Sequence, residues 1–499
     1  MRHNGCNKKR IKKNTMNTNP HEITFGDDKA IYIQSLGAAE TVTGSKHLIR
    51  TPGLTIMVDC GLYQGIKSVR EKNWQPLTVK ASAIDALIIT HAHLDHCGYI
   101  PVLIKNGYRG KIYMSKPTRD LTELILRDSA KLQEEDARKA NERGYTKHAP
   151  ALPLYTIADV EASLRYFVPV DAEKNYVLND HVNFRFSVAG HIPGACSILI
   201  NCFGKKIVFS GDIGRPHSEL LPAPVHSDLA DFVIMESTYG DRLHDKDDPA
   251  DELVFLINDT IFRRGNILIP TFAVGRAQEI MHMLYRLKKQ KRIPTAIPVF
   301  LDSPMAASAS RDLLKYPDWI TIPEKECAQM FSGITINEDY TGTEKIIKQK
   351  GSKIILAASG MLTGGRVLEY LKHYITDSKN TILIIGFQAE GTRGRALLNQ
   401  THEIKIHGHY YPALALVKEI GGLSAHADQG ELISWLKKFK TLPSKVYLVH
   451  GEPCAQEALR VKIKDELNIK AAILKEGKKE FLFAVTYSPA SQKAGVLTQ

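Results

Sequence analysis

Four residues of metal-binding type fall within six positions in His91-Ala92-His93-Leu94-Asp95-His96. Side chains two apart on an extended chain point the same way, so His91 and His93 can face one ion. The tightening turn offers Asp95 and His96 to a second. Imidazole and carboxylate donors without a thiolate suit zinc in a hydrolytic site, with manganese as the alternative. Three more candidates stand in loops: His191 in Ala189-Gly190-His191-Ile192-Pro193-Gly194-Ala195, Asp212 in Ser210-Gly211-Asp212-Ile213-Gly214, and Asp59 in Met57-Val58-Asp59-Cys60-Gly61. Singly, each reads as an ordinary turn aspartate or loop histidine. Beside the first motif they read as the remaining parts of a metal centre.

These groups must be held by the elements that precede them, and each follows an apolar run. Short β-branched segments such as Leu54–Val58, Ala86–Thr90, Ile207–Ser210 and Phe232–Met235 predict strands whose terminal loops carry the chemistry. They alternate with helical stretches, which predicts an α/β protein. Residues 117–143 are charged and amphipathic, and predict one or two helices. Residues 1–22 form a basic tail expected to be disordered, and 23–239 a first α/β domain. Residues 240–422 form a separate domain, whose strands Asn266–Pro270, Ile297–Leu301, Lys353–Ala357 and Thr381–Ile385 predict a mainly parallel, doubly wound sheet. Residues 423–499 form a third part of two helices and two strands, ending in a dozen residues expected to lack structure.

The chain has 499 residues, 43% hydrophobic and 24% charged, values that exclude wholesale disorder and a fibrous repeat. Its longest apolar runs fall short of the ~18 residues a spanning helix needs. The first twenty residues lack the apolar segment of a secretory signal. A cytoplasmic protein that does not cross a membrane is expected. Seven scattered cysteines with no CxxC spacing argue against a disulfide framework and a thiolate zinc site. The net charge is +12, of which Arg2, Lys8, Lys9, Arg10, Lys12 and Lys13 contribute six before the first acid, Glu22. A basic surplus suits a polyanion partner without specifying one.

The series Asp59, His91/His93/Asp95/His96, His191 and Asp212 resembles the metallo-β-lactamase superfamily, whose HxHxDH signature stands here unbroken. The resemblance implies an αββα sandwich in which His91, His93 and His191 hold one zinc, Asp95 and His96 the other, and Asp212 bridges them. Asp59 would orient a ligand histidine by hydrogen bond. Further segments resemble the β-CASP branch, nucleases with a second domain inserted in the lactamase fold: Met235-Glu236-Ser237-Thr238-Tyr239-Gly240, Pro270-Thr271-Phe272-Ala273-Val274-Gly275-Arg276, Ser359-Gly360-Met361-Leu362-Thr363-Gly364-Gly365-Arg366, Gly386-Phe387-Gln388-Ala389-Glu390-Gly391-Thr392-Arg393-Gly394, Ser424-Ala425-His426-Ala427-Asp428 and Leu448-Val449-His450-Gly451. On that resemblance 240–422 is the β-CASP insert, and 423–499 carries the RNA-metabolising lactamase motif. His450 would complete the second zinc, and His426, paired with Glu236, would be the general acid. Members acting on DNA tend to replace the residue at His450 with valine, so its presence favours RNA.

The function implied is a di-zinc ribonuclease cutting single-stranded RNA as an endonuclease, a 5′-to-3′ exonuclease or both, in RNA processing or decay. A homodimer is implied by the resemblance alone. The alternatives are a β-CASP DNA nuclease of repair and, more remotely, a small-molecule hydrolase of the same fold, which leaves the insert unexplained. The segments holding Ser359, Gly360 and Arg366, and Gly391 to Arg395, are candidate phosphate cradles, with Arg276, Arg366 and Arg393 as charge-assisted donors. Cys60, Cys97 and Trp435 read as buried apolar side chains, and the histidines of Thr401–Tyr411 as a surface strand or loop.

Overall fold

The computed structural model describes residues 29–144, 149–245 and 248–485. The basic tail 1–22 and the final dozen residues therefore lie outside the described residues. Alternation within single strands shows how the layers arise. In strand Leu54–Val58, Ile56 and Val58 turn to one side and Met57 to the other, as the period of two requires. Ile56 and Val58 join a core filled from two facing sheets, with Ile33, Ile49 and Ile88 from one sheet and Phe184, Phe186, Ile198 and Phe209 from the other. Met57 faces helices.

The first sheet has seven strands in the order Lys479–Ala484, Ala30–Gly37, Lys46–Thr51, Leu54–Val58, Ala86–Ile88, Lys111–Ser115, Phe167–Val170. The first four pair antiparallel and the rest parallel. The second runs Lys470–Ile473, Lys445–Leu448, Phe232–Met235, Lys205–Phe209, Cys196–Cys202, Val182–Val188, Asn175–Asn179. Helices Ile100–Lys105 and Lys116–Arg143 cover the outer face of the first sheet, and Gln429–Lys437 and Pro453–Leu467 that of the second. The result is the αββα sandwich. The segment expected to hold one or two helices is a single one of 28 residues, opened by the Ser115 hydroxyl accepting from the Thr118 N–H and closed by Gly144 at φ 62°.

After Met235 the chain leaves the second sheet. It builds a six-stranded sheet in the order Thr335–Asn337, Val299–Asp302, Ile354–Ala357, Ile267–Pro270, Thr381–Ile384, Leu416–Glu419, all paired parallel. Strands such as Ile-Leu-Ile-Pro and Ile-Ile-Leu-Ala are buried throughout, with apolar clusters on both faces, which is why they read as unbroken hydrophobic runs. The chain then returns, and Lys445–Leu448 pairs parallel with Phe232–Met235, Leu448 opposite Met235. Residues of the Thr401–Tyr411 segment form a two-stranded hairpin, Glu403–Ile406 with His409–Pro412. Trp435 is buried against Phe439, and Cys60 and Cys97 are fully buried. Among the described residues no helix is long and apolar enough to cross a membrane.

Strands Ala30–Gly37 and Lys46–Thr51 escape a reading by apolar pattern because they carry Gln34, Ser35, Lys46 and His47, all buried. Lys46 is 1% exposed. Its ammonium lies 4.5 Å from the Tyr63 ring centroid and 4.9 Å from that of Tyr99, and donates to the Gly44 carbonyl at 3.2 Å. Burial lowers its pKa from 10.5 to about 8. Between those two values the unfolded chain binds more protons than the folded one, so stability rises with pH there. Wild type is expected to gain about 3 kcal/mol on Lys46→Met between pH 8 and 10.5. Denaturant unfolding of both proteins across that range measures it, and a difference that stays flat would refute the assignment.

Candidate metal centre

The loop after strand Ala86–Ile88 is fixed before its side chains are considered. Backbone hydrogen bonds run from Ser45 N to Asp95 O (2.8 Å), from Cys60 N to His96 O (2.7 Å) and from Leu62 N to Leu94 O (2.8 Å). This approach is open only to glycine at position 61, where a Cβ would come within 1.6 Å of the Asp95 carbonyl oxygen. Asp59, at φ 59°, accepts from the Thr90 N–H at 2.8 Å and faces His96 Nδ1 at 2.7 Å. The Thr90 hydroxyl lies 3.0 Å from His91 Nδ1. Both contacts leave the Nε2 atoms of His91 and His96 turned inward.

Two donor clusters result. His93 Nδ1 lies 3.1 Å from His91 Nε2 and 3.2 Å from His191 Nε2, and Asp212 Oδ2 lies 3.3 and 3.5 Å from the same two nitrogens. In the second, His96 Nε2 is 3.1 Å from His450 Nε2, His450 Nε2 is 3.4 Å from Asp95 Oδ2, and Asp212 Oδ1 is 3.3 Å from His96 Nε2. Asp212, 2% exposed, thus turns one oxygen to each cluster, and its Oδ1 has no hydrogen-bond donor among the described residues. His450 comes from the end of strand Lys445–Leu448, with φ 51° and Nδ1 held 3.1 Å from the Thr238 hydroxyl.

These distances test whether metal ions fit. Donors ~2.0–2.1 Å from a tetrahedral zinc stand about 3.3 Å apart, the spacing found in both clusters. Burial holds His91 and His191 well below the ordinary histidine value and His93 at about 3, so these rings are neutral and carry lone pairs. In the second cluster burial acts to lower the His96 pKa, but Asp212 and Asp59 outweigh it and raise it to about 10, so a metal binding there has a proton to displace. The donor types and their spacing fit a metal at each cluster.

On the open side of Asp212 stands a third group. Glu236, 1% exposed, accepts from the Ile213 N–H and faces His426 Nδ1 at 3.1 Å. His426 Nε2 is 3.9 Å from Asp212 Oδ2. Burial acts to lower the His426 pKa, but the carboxylates of Glu236 and Asp212 outweigh it and raise the net value.

Of the residues expected to touch substrate, Arg276 lines the cavity over the clusters and the other four do not. Arg366 donates to Asp302 at 2.7 Å and to the Glu338 carbonyl at 2.6 Å, and Arg393 to the carbonyls of Lys405 and Leu362. Both guanidiniums brace the six-stranded sheet region. Ser359 bonds Thr363. Gly360 leaves room for a ring, since a Cβ there would lie 2.8 Å from Phe272. The sequence reading passed over the apolar lining of the cavity, Phe272, Met361 and Phe387 among it. Those residues lie inside the quoted motifs but carry no ligand chemistry to mark them.

Two metal-fit donor clusters sharing one aspartate, on the edge of an αββα sandwich, define a metallo-hydrolase. Comparison with known families agrees: the metallo-beta-lactamase superfamily matches residues 43–297, the Beta-Casp domain 277–397, and the Zn-dependent metallo-hydrolase RNA specificity domain 410–474. The chain belongs to the metallo-β-lactamase superfamily and, within it, to the β-CASP branch. It is 35% identical over 430 residues to Ribonuclease TTHA0252 of Thermus thermophilus, covering 84% of this chain and 93% of that protein. It is 32% identical over 456 residues to Transcription termination factor FttA of Methanocaldococcus jannaschii, covering 86% and 68%. With Cleavage and polyadenylation specificity factor 73 of Drosophila melanogaster the identity is 29% over 456 residues, covering 89% and 63%.

Proposed function

We propose that this protein is a di-zinc ribonuclease that hydrolyses phosphodiester bonds of single-stranded RNA. The observation that carries the reading is the carboxylate of Asp212 turned to two donor clusters at once, with His426 and Glu236 on its open side. His91, His93 and His191 would hold one ion and Asp95, His96 and His450 the other, with Asp212 shared. When bound, such a pair neutralises charge on phosphoryl oxygens and allows water to ionise near neutral pH.

The chain's own groups do the rest. Asp59 holds His96 by its Nδ1, fixing which nitrogen faces the cluster. Glu236 fixes the His426 ring through Nδ1 and favours its charged form. Nε2 then holds a proton on the side of Asp212, where a departing alkoxide oxygen needs one. Arg276 is 6% exposed, is ion-paired with Glu279 through Nη1, and has an Nη2 with no partner among the described residues. Its guanidinium adds positive charge to the wall of the cavity, which suits an anionic substrate.

RNA as substrate is supported by the domain matched at 410–474, which contains both His426 and His450, and by the ribonuclease name of the Thermus relative. The test uses metal-loaded protein with a 5′-labelled single-stranded RNA bearing a monophosphate or a triphosphate, and DNA of the same sequence, resolved on denaturing gels over time. Early internal fragments from both 5′ ends indicate an endonuclease, and mononucleotides from the monophosphate alone a 5′-to-3′ exonuclease. Cleavage of DNA but not RNA overturns the substrate assignment, and cleavage of neither overturns the reading.

A further inference from the structure

The buried charge of Lys46 has no ion-pair partner among the described residues; the carboxylate of Glu476 acts on it from farther away. An ammonium has three N–H groups to place, and the Gly44 carbonyl takes one of them at 3.2 Å. The rings of Tyr63 and Tyr99 attract the cation without neutralising it. A buried cation left in this state is costly, and its lowered pKa is one expression of that cost.

Lys46 does not end in solid packing. It lines a cavity of about 100 Å³ together with Tyr63, Tyr99, Lys72 and Glu476. The Lys72 ammonium, 5.3 Å from the Tyr63 ring centroid, pairs with Glu476 at 2.6 Å, and Glu476 also lies 3.1 Å from the Tyr63 hydroxyl. Two lysines against one glutamate leave this lining one positive charge in excess. The exposed side chains of Gln75 and Thr78 add polar groups to it. The room is that of a few water molecules, enough for a small anion and too little for a nucleotide.

Residues 38–44 separate this cavity from the metal centre. Val42 and Thr43 line the cavity over the clusters, whereas Gly44 turns its carbonyl to Lys46. We propose that the cavity beside Lys46 is a binding site for one small, singly charged oxyanion, a phosphate or a carboxylate, held between the ammonium groups of Lys46 and Lys72. An oxyanion offers several acceptors at once. That matches the donors around it: the N–H groups of Lys46 that Gly44 leaves over, the Lys72 ammonium, the Gln75 amide and the Thr78 hydroxyl. Glu476 limits the charge, because a second negative charge would meet that carboxylate unopposed. Binding pairs the buried cation, so the folded chain gains stability as the anion is added.

The test is thermal unfolding of the full-length, zinc-loaded protein in mildly acidic buffer, where inorganic phosphate is mainly singly charged. Sodium phosphate, acetate or chloride is titrated in at constant ionic strength. A saturable rise in Tm is expected with phosphate or acetate and not with chloride. Saturation at the lower concentration by phosphate assigns a phosphate, and the reverse a carboxylate. Lys46→Met should abolish the rise. Phosphate held by the metals would raise Tm in that variant as much as in the wild type, and an equal rise overturns the proposal. Lys72→Gln should raise the half-saturating concentration about ten-fold, the worth of one ionic hydrogen bond at a part-exposed site. Glu476→Gln removes the opposing charge and should lower it by a similar factor. If Lys46→Met fails to fold, these two opposed shifts decide, since both side chains are partly exposed. Shifts of the same sign, no shift, no saturable rise with either oxyanion, or an equal rise with chloride would each overturn the assignment.

Discussion

His96→Ala is expected to reduce RNA cleavage by about 10³–10⁴-fold, the several kcal/mol that a bound metal contributes to a phosphoryl-transfer barrier. His96 is the residue through which the second cluster hangs together. Its Nδ1 meets Asp59 at 2.7 Å, and its Nε2 lies 3.1 Å from His450 and 3.3 Å from Asp212. With an alanine there, Asp59 loses its partner and the cluster one of its four donors. Metal analysis of the purified variant should show one ion fewer per chain, while RNA binding persists, since Arg276 lies outside the cluster. Asp95→Ala should behave alike. Full turnover by a metal-depleted variant would disprove the two-metal reading.

The second large effect concerns the proton. His426→Ala should slow cleavage by roughly 10²–10⁴-fold, the usual contribution of a general acid, with both metals retained. Because Glu236 and Asp212 raise the His426 pKa against the effect of burial, the acid form persists to higher pH, and the rate falls as pH rises through that value. Glu236→Gln removes the nearer negative charge, so the alkaline limb of the pH–rate profile should move toward lower pH. A limb that stays in place, or a loss of metal in His426→Ala, would mean that His426 serves the metals and not the leaving oxygen.

Part of the donor set was readable in residue spacing because metal chemistry restricts residue types so tightly, whereas His450 and the sharing of Asp212 were implied only by the family resemblance. His91, His93, Asp95 and His96 announce themselves within six positions, whereas His191 and Asp212 read singly as ordinary loop residues and gain their meaning only beside that motif. The parallel sheet of the insert was readable for the same kind of reason, as strands buried on both faces leave unbroken apolar runs. Where a residue's role depends on what lies across space, sequence reasoning went astray. Arg366 looks like a phosphate donor beside glycines, yet it is bound to Asp302, 64 positions earlier. Gly360 looks like part of an anion cradle, yet it yields space to Phe272 from another strand end. Lys46 and His47 look too polar for an inner strand, yet the rings of Tyr63 and Tyr99 with the Gly44 carbonyl around the first, and the hydroxyls of Ser35 and Ser45 around the second, make their burial tenable.

The return of the chain to the second sheet at Lys445–Leu448, after the long excursion that follows Met235, sets an order of events during synthesis. A ribosome that has just released Asp212 has delivered every donor of the first cluster, yet His426 and His450 are still about 210 and 240 codons away. At ~5–20 residues per second, translation of that interval takes roughly ten to fifty seconds. Throughout it the nascent chain lacks both the proton-holding ring and the last donor of the second cluster. The two donor clusters and the proton-holding ring can therefore come together only after His450 has been made and Lys445–Leu448 has paired with Phe232–Met235.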